Sequence, residues 1–214
     1  MTVPVMELRM SESAIAALER NLWSERYVDA SLREGERSVQ VKVRYRGGHT
    51  RNYPKRSYEI SENGRHTHFN AEYDDPSMIR NALSFAFFNK IGVPSPTTRH
   101  VRLVVNGLPA GLYLAIEGVG QPFFRRRGLG AASLFYAVSN NSDFGLYVPG
   151  TGERKQSLLS GYEHRFGGAS EKARLTAFIR AIHEPKAKRA IARLTARLDL
   201  VVAFEPTSAS ADRR

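Results

Sequence analysis

The sequence predicts an α+β fold: an N-terminal lobe made of an antiparallel sheet and one long helix, followed by a smaller, partial helical C-terminal lobe. Three observations carry this reading. Val39, Val41, Val43 and Tyr45 alternate with Gln40, Lys42, Arg44 and Arg46, the two-residue period of a half-buried strand. Val101, Leu103 and Val105 are joined to Leu112, Leu114 and Ile116 through Asn106-Gly107, a pair that tolerates the positive φ of a tight hairpin. Met78, Ile79, Leu83, Phe87, Phe88 and Ile91 recur at helical spacing, and Gly92 followed by Pro94 closes that helix.

The remaining elements follow in chain order. Val3 to Arg9 predicts a first strand, and Ser11-Glu12-Ser13 before Ala14, Ile15, Leu18 and Leu22 predicts a capped amphipathic helix. Gly47-Gly48 ends the strand of Val39 to Tyr45, Pro54 follows, and Arg56 to Ile60 resumes an extended pattern, so 47–54 is read as a loop between two strands. Ser77 starts the long helix, whose Phe85, Phe87 and Phe88 are read as core. Beyond Phe123 the stretch Leu134 to Tyr147 is irregular. Two helices are expected at the end, Ser170 to His183 capped by Ser170, and Pro185 to Leu198; the polar stretch from Glu205 to Arg214 has little to bury and is expected to be disordered. The domain reading is 1–119 for the first lobe, 120–200 for the second and 201–214 for the tail.

Composition narrows the function. The chain has 214 residues and no cysteine, which excludes disulfides, thiolate metal sites and a thiol nucleophile. No apolar run approaches the roughly 20 residues that span a bilayer, and the first residues lack the basic and apolar regions of a secretion signal. A soluble cytoplasmic protein without a membrane partner is the expectation. Thirty-two basic against 21 acidic residues give a formal charge of +11, carried mostly by Arg. That charge is spread: Arg125-Arg126-Arg127 is the densest run, so a nucleic-acid partner is the weaker reading. His66 and His68 would share a strand face but lack a third ligand, so no metal ligand is assigned. No Gly-x-Ser-x-Gly elbow supports a hydrolase.

Five segments, in order, resemble the CotH kinase family of spore-coat proteins: Val43-Arg-Tyr-Arg-Gly-Gly-His-Thr-Arg51, Pro54-Lys-Arg-Ser-Tyr-Glu-Ile60, Phe69-Asn-Ala-Glu-Tyr-Asp-Asp-Pro-Ser-Met-Ile-Arg-Asn81, Phe87-Phe-Asn-Lys-Ile-Gly-Val-Pro-Ser-Pro96 and Val105-Asn-Gly-Leu-Pro-Ala-Gly-Leu-Tyr-Leu-Ala-Ile-Glu117. The resemblance is strong over residues 3 to about 119 and weaker to about 200. It implies a protein-kinase-like N-terminal lobe that holds ATP, a C-terminal lobe with Mg2+ ligands, a spore-coat or other protein substrate, and a cytoplasmic or spore-coat location.

Six residues are candidates for binding ATP. Gly47 and Gly48 would let backbone N–H groups approach phosphate, with Arg46 or Arg51 adding charge-assisted hydrogen bonds. An arginine-rich hairpin turn explains the same residues. By resemblance Lys55 would reach the α and β phosphates, and Glu117, at a strand end where a kinase chain crosses between lobes, would lie beside adenine or ribose. The long helix offers no acid from Met78 to Ile91 for a kinase lysine–glutamate pair; Glu72, Asp74 or Asp75 are the substitutes.

The sequence departs from the family where chemistry is concentrated. After Leu198-Asp-Leu200 the family carries an Asn, an Asp and a later Trp-Asp-Leu-Asp-like strand, whereas here Val201-Val-Ala-Phe-Glu-Pro206 is followed by a polar tail. Leu134-Phe-Tyr-Ala-Val138 resembles a family segment but lacks its lysine. No catalytic residue and no Mg2+ ligand is therefore assigned, and the expectation is no or very low transfer activity from a chain that is a gene fragment, a pseudokinase that only binds, or a half-enzyme completed by another chain, with truncation favoured. A non-enzymatic coat scaffold and a basic nucleic-acid binder are the alternatives. Self-association through apolar faces of the helices from Ser170 to Leu198 is a further expectation.

Overall fold

In the computed structural model residues 2–129 and 133–184 are described. The helix expected over 185–198 and the tail over 201–214 lie outside the described residues. The chain divides into two compact units, Met1–Arg127 and Gly128–Arg214.

The first unit contains β1 (Val5–Arg9), α1 (Glu12–Arg20), β2 (Val28–Glu34), β3 (Arg37–Arg46), a 3-10 turn at His49–Asn52, β4 (Ser57–Glu62), β5 (Arg65–Asn70), α2 (Arg80–Lys90), β6 (Thr98–Val105), β7 (Leu108–Glu117) and α3 (Gln121–Arg126). Its seven strands close into a barrel in the order β1-β2-β3-β4-β5-β7-β6. Closure is made by a parallel pairing of β1 with β6, Leu8 opposite Val105 and Met6 opposite Leu103. This corrects the expected kinase-like lobe of sheet plus long helix. The interior is filled by the strands themselves, and α2 buries none of its residues.

The period-two pattern accounts for that interior. Val41, Val43 and Tyr45 on β3 face inward and are buried, as are Ile60, Phe69, Val101, Leu103 and Tyr113 from the other strands and Leu8 from β1. Tyr45, Tyr58 and Tyr113 form a continuous aromatic contact, with ring centroids 5.4 and 6.1 Å apart. Filling a barrel of this size with inward side chains leaves a packed core rather than a pore. Ser11 caps α1 by accepting from the Ala14 N–H at 3.1 Å, and Leu18 alone on that helix is buried.

Asn106 and Gly107 form the β6–β7 turn with φ of +49° and +82°, the conformation their hairpin signature demands. Asn106 also ties this turn to the end of β1. Its Oδ1 accepts from Met10 N and its Nδ2 donates to Met10 O, both at 2.8 Å, while its own N–H donates to Leu8 O at 2.9 Å.

One sequence expectation fails and one strand was not foreseen. The helical stripe of α2 is real in spacing, yet Ile79, Leu83, Phe87, Phe88 and Ile91 are exposed, so Phe87 and Phe88 are not core. Strand β2 carries alternating Val28, Ala30 and Leu32, a pattern weakened by its small and polar residues, and was not anticipated.

On the outer face Arg44, Glu59 and His68 lie opposite one another across β3, β4 and β5. Glu59 accepts from Tyr27 Oη at 2.6 Å and Arg44 Nη2 at 2.6 Å and lies 2.9 Å from His66 Nδ1. Burial alone would raise its pKa, but donors from His66, Tyr27 and Arg44 hold it below the usual carboxylate range. Burial, aided by nearby Arg46, pushes His68 down to about 3.

In the second unit β8 (Leu134–Ala137) pairs with β9 (Tyr162–Phe166), and α4 (Ser170–Ile182) buries Leu175, Ile179 and Ala181. Ser170 is the first residue of that helix and does not cap it. Lys155 is buried, donating to Asn141 O at 2.6 Å and pairing with Asp143.

Two outcomes follow. Leu8→Ala should cost roughly 2–5 kcal/mol by removing a fully buried side chain from the closing strand, whereas Val5→Ala on its exposed face should change stability by under about 0.5 kcal/mol, both read from urea unfolding. His68 binds a proton more readily unfolded than folded, so stability should fall as pH drops from about 6.5 toward 3. Replacing His68 with Gln should flatten that part of the stability profile.

Candidate functional site

The residues nominated from sequence fall at two places along the barrel. Arg46 ends β3 and Gly47, Gly48, Arg51 and Lys55 belong to the β3–β4 connection, whereas Glu117 sits three residues beyond Leu114 on β7, opposite Thr67. The strand register therefore separates Glu117 from the glycine loop.

At the loop, Gly47 has φ +105°, and a Cβ there would lie 2.3 Å from Thr50 Oγ1. The backbone then enters the 3-10 turn with Arg51 N donating to Gly48 O at 3.0 Å. The cations of this loop serve the fold. Arg51 is buried; its Nε donates to Gly47 O at 2.7 Å, Nη1 to Leu22 O at 3.1 Å and Nη2 to Glu25 at 2.6 Å. Arg46 donates to Asn70 Oδ1. Lys55 turns its ammonium inward, donating to Ala71 O at 2.7 Å and Leu112 O at 2.5 Å and standing 4.5 Å from the Tyr113 ring centroid. Burial lowers its pKa, with Glu72 acting weakly in the opposite direction.

Around Glu117 the barrel opens into a concave mouth of about 560 Å³. Inward-facing positions of β5, β6 and β7 line it with Arg65, Thr67, Arg99 and Ala115, and α3 with the residue after it adds Arg126 and Arg127. Glu117 organises this wall. It pairs with Arg126, accepts from Arg127 Nη2 at 2.9 Å, and accepts the N–H and hydroxyl of Thr97 at 3.1 and 3.2 Å. Arg127 also donates to Ser95 O at 2.8 Å and lies over Phe123, 3.7 Å from its centroid. Burial would raise the Glu117 pKa, but the donors from Arg127, Arg126 and Thr97 outweigh it and bring it to about 2.

Four arginines face one glutamate in this lining, a clear positive excess. Arg99 is held by Glu34 through two hydrogen bonds of 2.7 and 2.8 Å. Arg65 differs: Glu62 opposite it pairs with Arg37, and Arg65 forms no ion pair with the described residues. Such a cavity is of ligand-binding size, and guanidinium groups suit planar, bidentate recognition of phosphate. For Mg2+ the described residues offer no group of three or more His, Asp or Glu that could hold the ion.

Sequence reasoning found Glu117 but missed its arginines. The run Arg125-Arg126-Arg127 was visible as charge, but Arg65 and Arg99 reach the mouth only through pairing of distant strands. Gly118 holds the end of β7 close: a Cβ there would lie 2.7 Å from both the Cβ and the carbonyl oxygen of His66, and its N–H donates to that oxygen at 2.9 Å. Glu117→Gln should cost roughly 1–3 kcal/mol at pH 7, since charge-assisted bonds become neutral ones. A carboxylate with a depressed folded pKa stabilises above its unfolded value and loses that contribution as pH falls, here from about 4.5 to 2. The variant should lack that part of the acid-unfolding profile.

The chain is 33% identical over 172 residues to the inner spore coat protein H of Bacillus subtilis (strain 168), covering 77% of this chain and 48% of that protein. It is 48% identical over 68 residues to the inner spore coat protein H-like protein of the same organism, covering 29% of this chain and 22% of that protein. The chain thus spans about half the length of the first relative. The family described as CotH kinase protein matches residues 43–204, most of the chain, and the chain belongs to that family.

Proposed function

We propose that this CotH-family chain is a spore-coat protein that binds a nucleotide through its phosphates at the barrel mouth and by itself transfers no phosphoryl group. The observation that carries the reading is the mouth: four arginines around a cavity of about 560 Å³, two of them oriented by Glu117 and one, Arg65, unengaged among the described residues. The family description as a kinase and the spore-coat names of both relatives support the nucleotide and the location. Arg65, Arg99, Arg126 and Arg127 would hold the phosphates, and Thr67, Thr97 and Thr98 offer hydroxyls beside them.

Bound ATP would supply the transferable γ-phosphoryl group. In kinase-type transfer the protein positions that group and compensates its charge through metal-bound carboxylates. Guanidinium groups can bind the ground-state phosphates without such carboxylates. The reading therefore separates binding from catalysis, and it makes binding independent of Mg2+. The glycine loop and Lys55 can join only if Lys55 leaves the carbonyls of Ala71 and Leu112, which makes Lys55→Ala a poor probe because it removes a structural contact.

A thermal-shift titration with ATP, with and without Mg2+, tests the reading. A ligand that binds only the folded state at about 100 times its Kd adds about 2.7 kcal/mol, a rise of several degrees. Arg65→Ala should leave the ligand-free melting temperature unchanged and weaken ATP binding by roughly 10-fold or more. No shift in the parent chain would sink the nucleotide reading in favour of a non-enzymatic coat scaffold. Salt-sensitive association with generic DNA, without an ATP shift, would instead favour a basic nucleic-acid binder.

A further inference from the structure

Asn-Gly occurs twice in the sequence, at Asn63-Gly64 and at Asn106-Gly107. Each pair forms the two-residue turn of an antiparallel hairpin, the first between Glu62 and Arg65, the second between Val105 and Leu108. Their backbones adopt nearly the same conformation: φ is +49° at both asparagines, +76° at Gly64 and +82° at Gly107. All four residues are exposed, and a Cβ at either glycine would meet nothing within 4 Å. Dipeptide, turn and access to water are therefore matched.

The two carboxamides differ. That of Asn106 is held at both atoms by Met10, Oδ1 accepting from its N–H and Nδ2 donating to its carbonyl oxygen, each at 2.8 Å. The Asn106 N–H is held as well, donating to Leu8 O at 2.9 Å. Among the described residues, the Asn63 side chain has no hydrogen-bond partner and the Gly64 N–H has no acceptor. The Asn63 carboxamide can therefore rotate to bring its Cγ onto the Gly64 nitrogen, and glycine places no side chain in the way. At Asn106 the same rotation first requires release from Met10.

We infer that Asn63 is a site of spontaneous deamidation in the folded protein, from which Asn106 is protected by its bonds to Met10. The Gly64 amide nitrogen loses its proton and bonds to Asn63 Cγ. The Cγ–Nδ2 bond breaks, and Nδ2 leaves as ammonia with a proton from the solvent. The cyclic imide then takes up one water. Hydrolysis at Cγ restores the ordinary peptide bond with an aspartate side chain, whereas hydrolysis at the main-chain carbonyl of residue 63 routes the chain through Cγ as isoaspartate. Either product replaces a neutral amide with a carboxylate two residues before Arg65, and isoaspartate also lengthens the turn by one methylene. The inference does not depend on what the mouth binds.

The test uses the full chain, kept folded in mildly alkaline buffer over several weeks, beside the same chain in urea. Samples are digested at acidic pH, and liquid chromatography with mass spectrometry separates the asparagine, aspartate and isoaspartate forms of the peptides containing residues 63 and 106. In the folded chain the first peptide should convert at least about 10-fold faster than the second, because attack at Asn106 must first break its bonds to Met10. In urea the two should convert at similar rates, which ties the difference to the fold. Ion exchange should resolve an acidic form of the aged folded chain that Asn63→Gln lacks. Equal rates at the two positions in the folded chain, or faster conversion at Asn106, overturn the inference. So does an Asn63 that stays intact in the folded chain while converting in urea, or an acidic form that persists undiminished in Asn63→Gln.

Discussion

Closure of the sheet is the constraint on which the rest of the first unit depends. Once β1 pairs with β6, every barrel strand has two neighbours, and none of the seven leaves a free edge in the sheet. The register that satisfies Leu8 against Val105 also determines which side of each strand faces inward. From that choice follow both the packed tyrosine column and the polar mouth. The same alternation that sends Val101 and Leu103 into the core brings Arg99 to the rim, and what sends Phe69 inward brings Thr67 and Arg65 to the same opening.

Charge is used differently at the two ends of the barrel. Near the glycine loop, Arg51 and Lys55 are spent on backbone carbonyls and on Glu25, so positive groups act as internal braces. At the mouth, Glu117 pairs with Arg126 and Arg127 and Glu34 pairs with Arg99, so the lining holds more guanidinium groups than carboxylates. A cation surrounded by carbonyls has its field satisfied, whereas several cations sharing one carboxylate retain a surplus that an anion can neutralise. This difference, rather than the number of basic residues, leaves a positive surplus at the mouth and none at the glycine loop.

Much of this was legible in the sequence, and the failures have identifiable physical causes. Strand β3, the β6–β7 hairpin and the Ser11 cap are local: their signals lie within a few residues, and the structure contains them. Barrel closure is not local, since the partner of Val5–Arg9 lies nearly a hundred residues away and β2 announces itself only through Val28, Ala30 and Leu32 among polar neighbours. Periodicity shows that α2 has an apolar face but is silent about what covers that face. Glu117 could be singled out at the end of its strand, yet its role depended on Arg126, Arg127 and Thr97, which only folding brings together. By resemblance Lys55 was expected to reach nucleotide phosphates, and the sequence held no sign of the carbonyls of Ala71 and Leu112 to which it donates.

The tie between Asn106 and Met10 shapes how the barrel is made. A parallel seam between residues 5–9 and 102–105 is among the most sequence-distant pairings in the first unit, and such contacts form late because the intervening loop must first be gathered. Until then β1 and β6 each present an unpaired edge. Asn106 sits on the fast-forming β6–β7 hairpin and carries both a donor and an acceptor for the backbone of Met10, so the hairpin arrives with a ready-made latch for the N-terminal strand. During synthesis that latch exists only after residue 106 has left the ribosome, so the N-terminal strand must wait, and its edge is vulnerable to misassociation, through nearly the whole production of the first unit.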